Sequence, residues 1–191
     1  MPTRPNAPRF SLPDPPLADE AVLLRPPSPA DVPEIAAACT DPEIARWTMV
    51  PTPYTPAHAR RFVAQARRWW RVGRTGAIFA IVERSSGRLV GMIGLEPAEP
   101  GLAEVGYWVA PGARRRGYAT RAVRLVSTWA FADPTLVRLE LHTMLGNEAS
   151  GAVAAKAGFS REGVARRGLV VRGERVDGVV YALVRGDPAA G

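Results

Sequence analysis

Cysteine occurs once in these 191 residues, at Cys39, lysine once, at Lys156, and histidine twice, at His58 and His142. One cysteine excludes a disulfide within the chain and argues against a metal-thiolate cluster, so no metal is expected. Cys39 closes an apolar helical stretch from Ile35 and reads as a small core residue. There is no run of about 18 apolar residues and no apolar N-terminal stretch of the signal-peptide kind, so neither a membrane span nor export is expected and the expected location is cytoplasmic. Zinc-finger spacing, basic heptads and an aromatic RNA-binding signature are missing too. The net charge of +7 is almost wholly arginine in a chain rich in Ala, Gly and Pro. It therefore reads as a GC-rich coding bias, and nucleic acid is not expected as a ligand.

What is present is ordinary for a globular chain: a hydrophobic fraction of 47%, enough for one buried core. Prolines at 2, 5, 8, 13, 15 and 16 mark residues 1–20 as a poorly ordered arm, leaving 21–186 as a single domain and 187–191 as a tail. Val22 to Arg25 reads as a strand. Ser28-Pro29 is an N-cap with proline at the first helical position, opening a helix to about Cys39. Thr55-Pro56 repeats that signal, and Phe62, Val63, Ala66, Trp69 and Trp70 recur at helical spacing until Gly73. From residue 77 the period changes. Ala77 to Glu83 and Leu89 to Leu95 are β-rich runs joined by Arg84-Ser85-Ser86-Gly87-Arg88, and Ala103 to Val109 is the next strand. A helical pattern then runs through Ala122, Val123, Val126, Trp129 and Ala130 to Asp133-Pro134. A strand over Leu136 to Leu145, a helix over Asn147 to Ala157 and two strands around Arg172-Gly173-Glu174 complete an α/β chain of order β-α-α-β-β-β-α-β-α-β-β.

The informative segment is Pro111-Gly112-Ala113 followed by Arg114-Arg115-Arg116-Gly117-Tyr118-Ala119-Thr120, a loop between a strand and a helix. Unpaired N–H groups at a helix start bind an anion without a particular side chain. Gly117 and Ala119 keep that backbone accessible, and Arg114, Arg115 and Arg116 offer charge-assisted contacts to phosphates. The glycine and lysine positions of a G-x-G-x-x-G or a G-x-x-x-x-G-K loop are absent. On these grounds alone the loop suits a polyphosphate, with an exposed arginine-rich turn as the plainer alternative.

Arg114-x-x-Gly117-x-Ala119 resembles the Gln/Arg-x-x-Gly-x-Gly/Ala acyl-coenzyme A motif of the GNAT superfamily of N-acetyltransferases. Ala103-Glu104-Val105-Gly106-Tyr107-Trp108-Val109 resembles the A-E-I-G-Y-W strand of its Rim-type branch, whose members acetylate N-terminal amines of ribosomal proteins. Asn147-x-x-Ser150 with Lys156-Ala157-Gly158-Phe159 is similar to that branch's N-x-x-S and K-x-G-F segment. The resemblance covers about Val22 to Arg185. It implies a mixed, mostly antiparallel sheet flanked by helices, with a β-bulge or V-shaped splay where acyl-coenzyme A binds. It also implies acetyl-CoA as cosubstrate, held by Trp108, Val109, Arg114 to Thr120, Asn147, Ser150 and Lys156. The acceptor implied is a primary amine, with a protein N-terminus ahead of a small-molecule amine; a larger acyl-CoA and a homodimer are left open.

Acyl transfer to an amine needs a neutral nucleophile, an oxyanion site and a proton for the leaving thiolate. The resemblance assigns the oxyanion site to N–H groups near Trp108 and Val109 and the acid to Ser150. Asn147 and Ser150 equally read as helix caps. Glu104 is the candidate base, with a structural ion pair as its alternative. His142 shares a strand face with Glu140 and Met144 and so borders the acceptor side or merely the strand surface. Trp47, Tyr54, Trp69 and Trp70 come from the region that wraps the acceptor cleft in this family; Trp69 reads better as core. A non-catalytic module that senses acyl-CoA is the rival from a different class.

Overall fold

The computed structural model describes residues 10–72 and 76–188. Its strands are β1 (Leu17–Ala18), β2 (Val22–Arg25), β3 (Ala77–Glu83), β4 (Leu89–Glu99), β5 (Leu102–Val109), β6 (Arg138–Met144), β7 (Ser160–Val171) and β8 (Glu174–Val184). Its helices are α1 (Val32–Ala38), α2 (Pro42–Trp47), α3 (Pro56–Val72), α4 (Tyr118–Ala130) and α5 (Glu148–Lys156). The strands form one sheet in the order β1-β2-β3-β4-β5-β6-β8-β7. Every neighbouring pair is antiparallel except β5 with β6, which α4 connects in parallel.

The central strand β3 is buried on both faces because nearly all of its residues are apolar. Phe79 and Ile81 point into a cluster with Ile93, Leu95, Leu139, Leu141 and the apolar stripe Val123, Val126 and Ala130 of α4. Ile78, Ala80 and Val82 point the other way, onto Ile35, Ala59, Val63 and Ala66 of α1 and α3. The sheet is thus the middle of three layers, with α1 to α3 on one face and α4 and α5 on the other. Cys39 is buried, as its apolar surroundings suggested; burial pushes its thiol up to about 11, offset in part by its hydrogen bond with Tyr54.

Three elements differ from the sequence reading. Ser28-Pro29 opens a single 3-10 turn, Pro29–Asp31, before α1. An additional helix, α2, starts from Asp41, whose carboxylate accepts the Ile44 N–H at 3.0 Å. Residues read as a poorly ordered arm are packed from Phe10 onward: Phe10 is 3% exposed and its ring lies 5.4 Å from that of Trp129, while β1 pairs with β2. Two apolar side chains in a proline-rich stretch suffice, because each meets a surface already built by β2 and α4. Residues 1–9 of the arm, the stop signal at Gly73 and residues 189–191 of the tail lie outside the described residues.

The entry to α1 is fixed by a half-buried ion pair. Both guanidinium nitrogens of Arg25 donate to Asp31, at 2.8 and 2.7 Å, and the Ser28 N–H adds a third bond at 2.6 Å. Burial alone would raise the Asp31 carboxyl; these donors outweigh it and hold the group below the usual carboxylate range. A depressed folded pKa contributes stability that is present above the unfolded value and lost as pH falls through the folded one. Asp31→Ala removes the partner of a guanidinium that is a third exposed and is expected to lower the unfolding free energy by about 1–2 kcal/mol at neutral pH. Urea denaturation reads this loss, and the difference from wild type should shrink in acid.

Candidate active site

The site begins where two parallel strands part. Leu102, Ala103 and Glu104 of β5 lie opposite Arg138, Leu139 and Glu140 of β6, and the pairing stops there. Beyond it β5 continues to Val109 against β4 alone, and β6 continues to Met144 against β8 alone. This is the V-shaped splay. The Ala110 N–H is donated to the Val90 carbonyl at 2.9 Å. Donors of an antiparallel strand alternate in direction, so Trp108 turns its N–H to β4 whereas Tyr107 and Val109 turn theirs into the gap. The ladder beside the gap keeps regular register from Val109 to Ala103; the nearby irregularity is between β3 and β4, at Ile81/Val82.

From Val109 the chain runs through a 3-10 turn, Pro111–Ala113, into the arginine loop and α4. Arg115 and Gly117 both have left-handed backbone, φ 63° and 82°. The first intrahelical donor of α4 is Arg121, to the Gly117 carbonyl, which leaves the N–H groups of Tyr118, Ala119 and Thr120 without a helical acceptor. A Cβ at Gly117 would meet no protein atom within 4 Å, so packing does not require glycine there. Two of the three arginines are already paired: Arg114 with Asp41 at the cap of α2, Arg116 with Glu83 at 3.3 Å. Glu83 also accepts from the Tyr118 hydroxyl. Arg115 is exposed and has no partner among the described residues. The loop is therefore braced by carboxylates on α2 and β3, with one cation left over.

The α5 start closes the other edge of the gap. Asn147 is the N-cap, its side-chain oxygen accepting the Ser150 N–H at 3.2 Å. Ser150 is not a cap: its hydroxyl lies 2.9 Å from the Tyr107 hydroxyl, a bridge between β5 and α5. Burial pushes the Tyr107 phenol up to about 12, and the Ser150 bond offsets only part of that. Lys156 ends α5 with an exposed side chain, and Arg124 of α4 donates to its carbonyl.

On the opposite face the even residues of β5 and β6 form a charged row. His142 Nε2 lies 2.8 Å from Glu140, and His142 Nδ1 lies 3.9 Å from Glu104, whose side chain is 48% exposed. Arg138 binds Glu140 at 2.7 Å and Glu162 of β7 at 2.9 Å. Glu96 sits opposite Glu104; desolvation first, and the Glu104 charge second, hold its carboxyl above the usual range. Glu104, Glu140 and His142 offer ligand-type atoms within 4.8 Å of one another. Arg138 and His142 each occupy one oxygen of Glu140, so the three side chains form a hydrogen-bonded network.

Of the aromatic residues assigned to the acceptor side, Trp69 and Trp70 are half-buried against the core: Trp69 packs on the cluster shared by α1, α3 and β3, and Trp70 donates to the Ile78 carbonyl at 2.8 Å and meets Phe79 edge-on. Tyr54 is bonded to Cys39. Trp47 is half-exposed, with Arg46 stacked 4.4 Å over its ring. It lies where Arg172, at the tip of the β7–β8 hairpin, donates to the Ala45 and Thr48 carbonyls. Tyr107, Asp41, Glu83 and Glu96 were not singled out in sequence. Asp41-Pro42 is an N-cap signal that marks the first of these braces.

No helix among the described residues is long and apolar enough to cross a membrane. Residues 21–160 match the family model described as an acetyltransferase (GNAT) domain. Among curated proteins, the chain is 41% identical over 101 residues to YdaF of Bacillus subtilis (strain 168), whose name marks it as a candidate ribosomal N-acetyltransferase. That match takes in 52% of this chain and 55% of YdaF, so it spans just over half the length of that relative. Among solved structures, Mycobacterium smegmatis RimJ in complex with CoA-disulfide is similar at 27% identity and a TM-score of 0.75, over 88% of this chain and 86% of that one. A ribosomal-protein-S5-alanine acetyltransferase from Vibrio fischeri, 21% identical, shares the fold with a TM-score of 0.76 over 89% and 96% of the two chains.

Proposed function

The chain belongs to the GNAT acetyltransferase family, and from that premise we propose that it transfers an acetyl group from acetyl-CoA to a primary amine, with an unblocked protein N-terminus as first acceptor. The observation that carries this reading is the parting of β5 from β6 after Glu104, which leaves backbone donors facing a gap that leads into the Gly117 loop. The pyrophosphate sits on the free N–H groups of Tyr118, Ala119 and Thr120, with Arg115 as the unpaired cation beside it. The pantetheine arm lies along β5 in place of the missing strand. The Val109 N–H then meets the thioester oxygen as it becomes an oxyanion.

Ser150 gives its proton to the leaving thiolate, and its hydroxyl is held for that task by Tyr107. The acceptor comes from the opposite face of the sheet, over Gly106, where a side chain would meet nothing within 4 Å. Glu104 borders that approach, and Glu96, Glu104 and Glu140 give it a negative field that favours an ammonium over an anionic acceptor. The name of YdaF, a candidate ribosomal N-acetyltransferase, supports an amine of a ribosomal protein as acceptor.

Thiol release from acetyl-CoA, measured with unblocked peptides, the same peptides with blocked N-termini, and small cationic amines, tests the proposal. Release only with unblocked peptides is expected. Release only with small amines would move the acceptor to that class. Binding of acetyl-CoA without release under any acceptor would contradict the enzyme and favour a sensing module.

A further inference from the structure

We propose that His142, held by Glu140, takes the proton that the acceptor ammonium must lose before attack, with Glu104 guiding the amine towards it; this rests on the acyl-transfer reading above. A carboxylate only accepts hydrogen bonds, so the Nε2 that lies 2.8 Å from Glu140 carries the imidazole hydrogen. In the neutral ring Nδ1 is then the basic atom, and Nδ1 is the one that faces Glu104, at 3.9 Å. Arg138 fixes Glu140 from behind at 2.7 Å and is itself fixed by Glu162 at 2.9 Å, so the ring is oriented by a chain that reaches β7. This is the arrangement of a base with a carboxylate behind it.

Magnitudes decide between the two bases at the gap. An α-amine ordinarily titrates at about 7.7–8.0, an imidazole at about 6.5 and a Glu carboxylate at about 4.3. Efficient proton transfer wants a base near the operating pH, which favours the imidazole. The charged groups around it are Glu140 and Arg138 on its own strand, Glu104 on β5, Glu96 beyond Glu104 on β4, and Glu162 on β7, whereas β8 contributes Val180 opposite. Acidic side chains outnumber basic ones around the ring, which suits the approach of an ammonium group. The ammonium proton passes to Nδ1, directly or through one water beside Glu104, and from there to solvent. The neutral nitrogen attacks the thioester carbon; the C–N bond forms, the C–S bond breaks, Ser150 gives its proton to the thiolate, and the nitrogen's second proton goes to solvent, from which Ser150 regains one.

The test is kcat against pH at saturating acetyl-CoA and peptide, for wild type, His142→Gln, Glu140→Gln and Glu104→Gln. Wild type should lose activity in acid through a limb in the imidazole range. His142→Gln should lose roughly 100-fold near neutrality, the scale of general-base catalysis, lack that limb, and recover towards wild type at about pH 9, where the amine is already neutral. Glu140→Gln should keep the limb and lower kcat less than His142→Gln does, because it loosens the orientation of the ring but leaves the base in place. A His142→Gln enzyme within two-fold of wild type, an equal deficit at both pH values, or a limb abolished by Glu104→Gln and kept in His142→Gln would each overturn the proposal. Wild type without turnover on any amine would overturn acyl transfer itself and this step with it.

Discussion

Gly117→Val should weaken acetyl-CoA binding by roughly 100-fold while leaving the domain folded, a loss about equal to two phosphate-backbone hydrogen bonds with charge assistance. Gly117 has φ 82° and precedes the three free N–H groups of α4. A β-branched residue in that conformation is strained by about 1–2 kcal/mol. No protein atom lies within 4 Å of its would-be Cβ, so the added methyls project into the space assigned to the pyrophosphate and not into the core. Calorimetric titration with coenzyme A reads the affinity, and thermal unfolding reads the strain. Wild-type affinity in the variant would remove the loop from the binding account.

Ser150→Ala should lower kcat by roughly 100-fold or more, the range of a lost general acid, with KM for acetyl-CoA changed only a few-fold. The fold should survive, because Asn147 and not Ser150 caps α5. Tyr107→Phe keeps the ring and removes the hydroxyl 2.9 Å from Ser150, so it should give a smaller kcat loss. The double variant should be no worse than Ser150→Ala, since the phenol acts through the serine. Additive losses would show that Tyr107 works independently.

Much of this architecture was legible because its signals are local. The β-rich apolar run Ala77–Glu83 and the Thr55-Pro56 start of α3 each depend on residues within one element. Leu17–Ala18 and the six-residue α2 are too short to carry a period. The loop of Arg114 to Gly117 could be placed from sequence, but the fate of its charges could not. Asp41 lies 73 residues before Arg114 and Glu83 lies 33 before Arg116, and only the packing of α2 and β3 on the loop reveals that both arginines are neutralised.

The same holds for the gap. The resemblance pointed to N–H groups near Trp108 and Val109, and the ladder divides them, since the donor directions alternate from Ala110 backwards. Tyr107 and Ser150 are 43 residues apart and meet because β5 and β6 part beside α5. Tyr107 was visible in sequence as part of a strand, yet nothing local showed its partner. His142 and Glu140 stood out by alternation, whereas the approach of Glu104 from the neighbouring strand follows from the parallel register Glu104 opposite Glu140.

The central claim is that acetyl transfer to an amine occurs at the splay between β5 and β6. Its most direct test is a single turnover with acetyl-CoA labelled in the acetyl group and an unblocked peptide, following label and thiol together. One labelled acetyl group is expected on the peptide N-terminal nitrogen for each thiol released, with both appearing at a rate that Ser150→Ala lowers. Thiol released without label on the amine, or label transferred equally fast by Ser150→Ala, would contradict it.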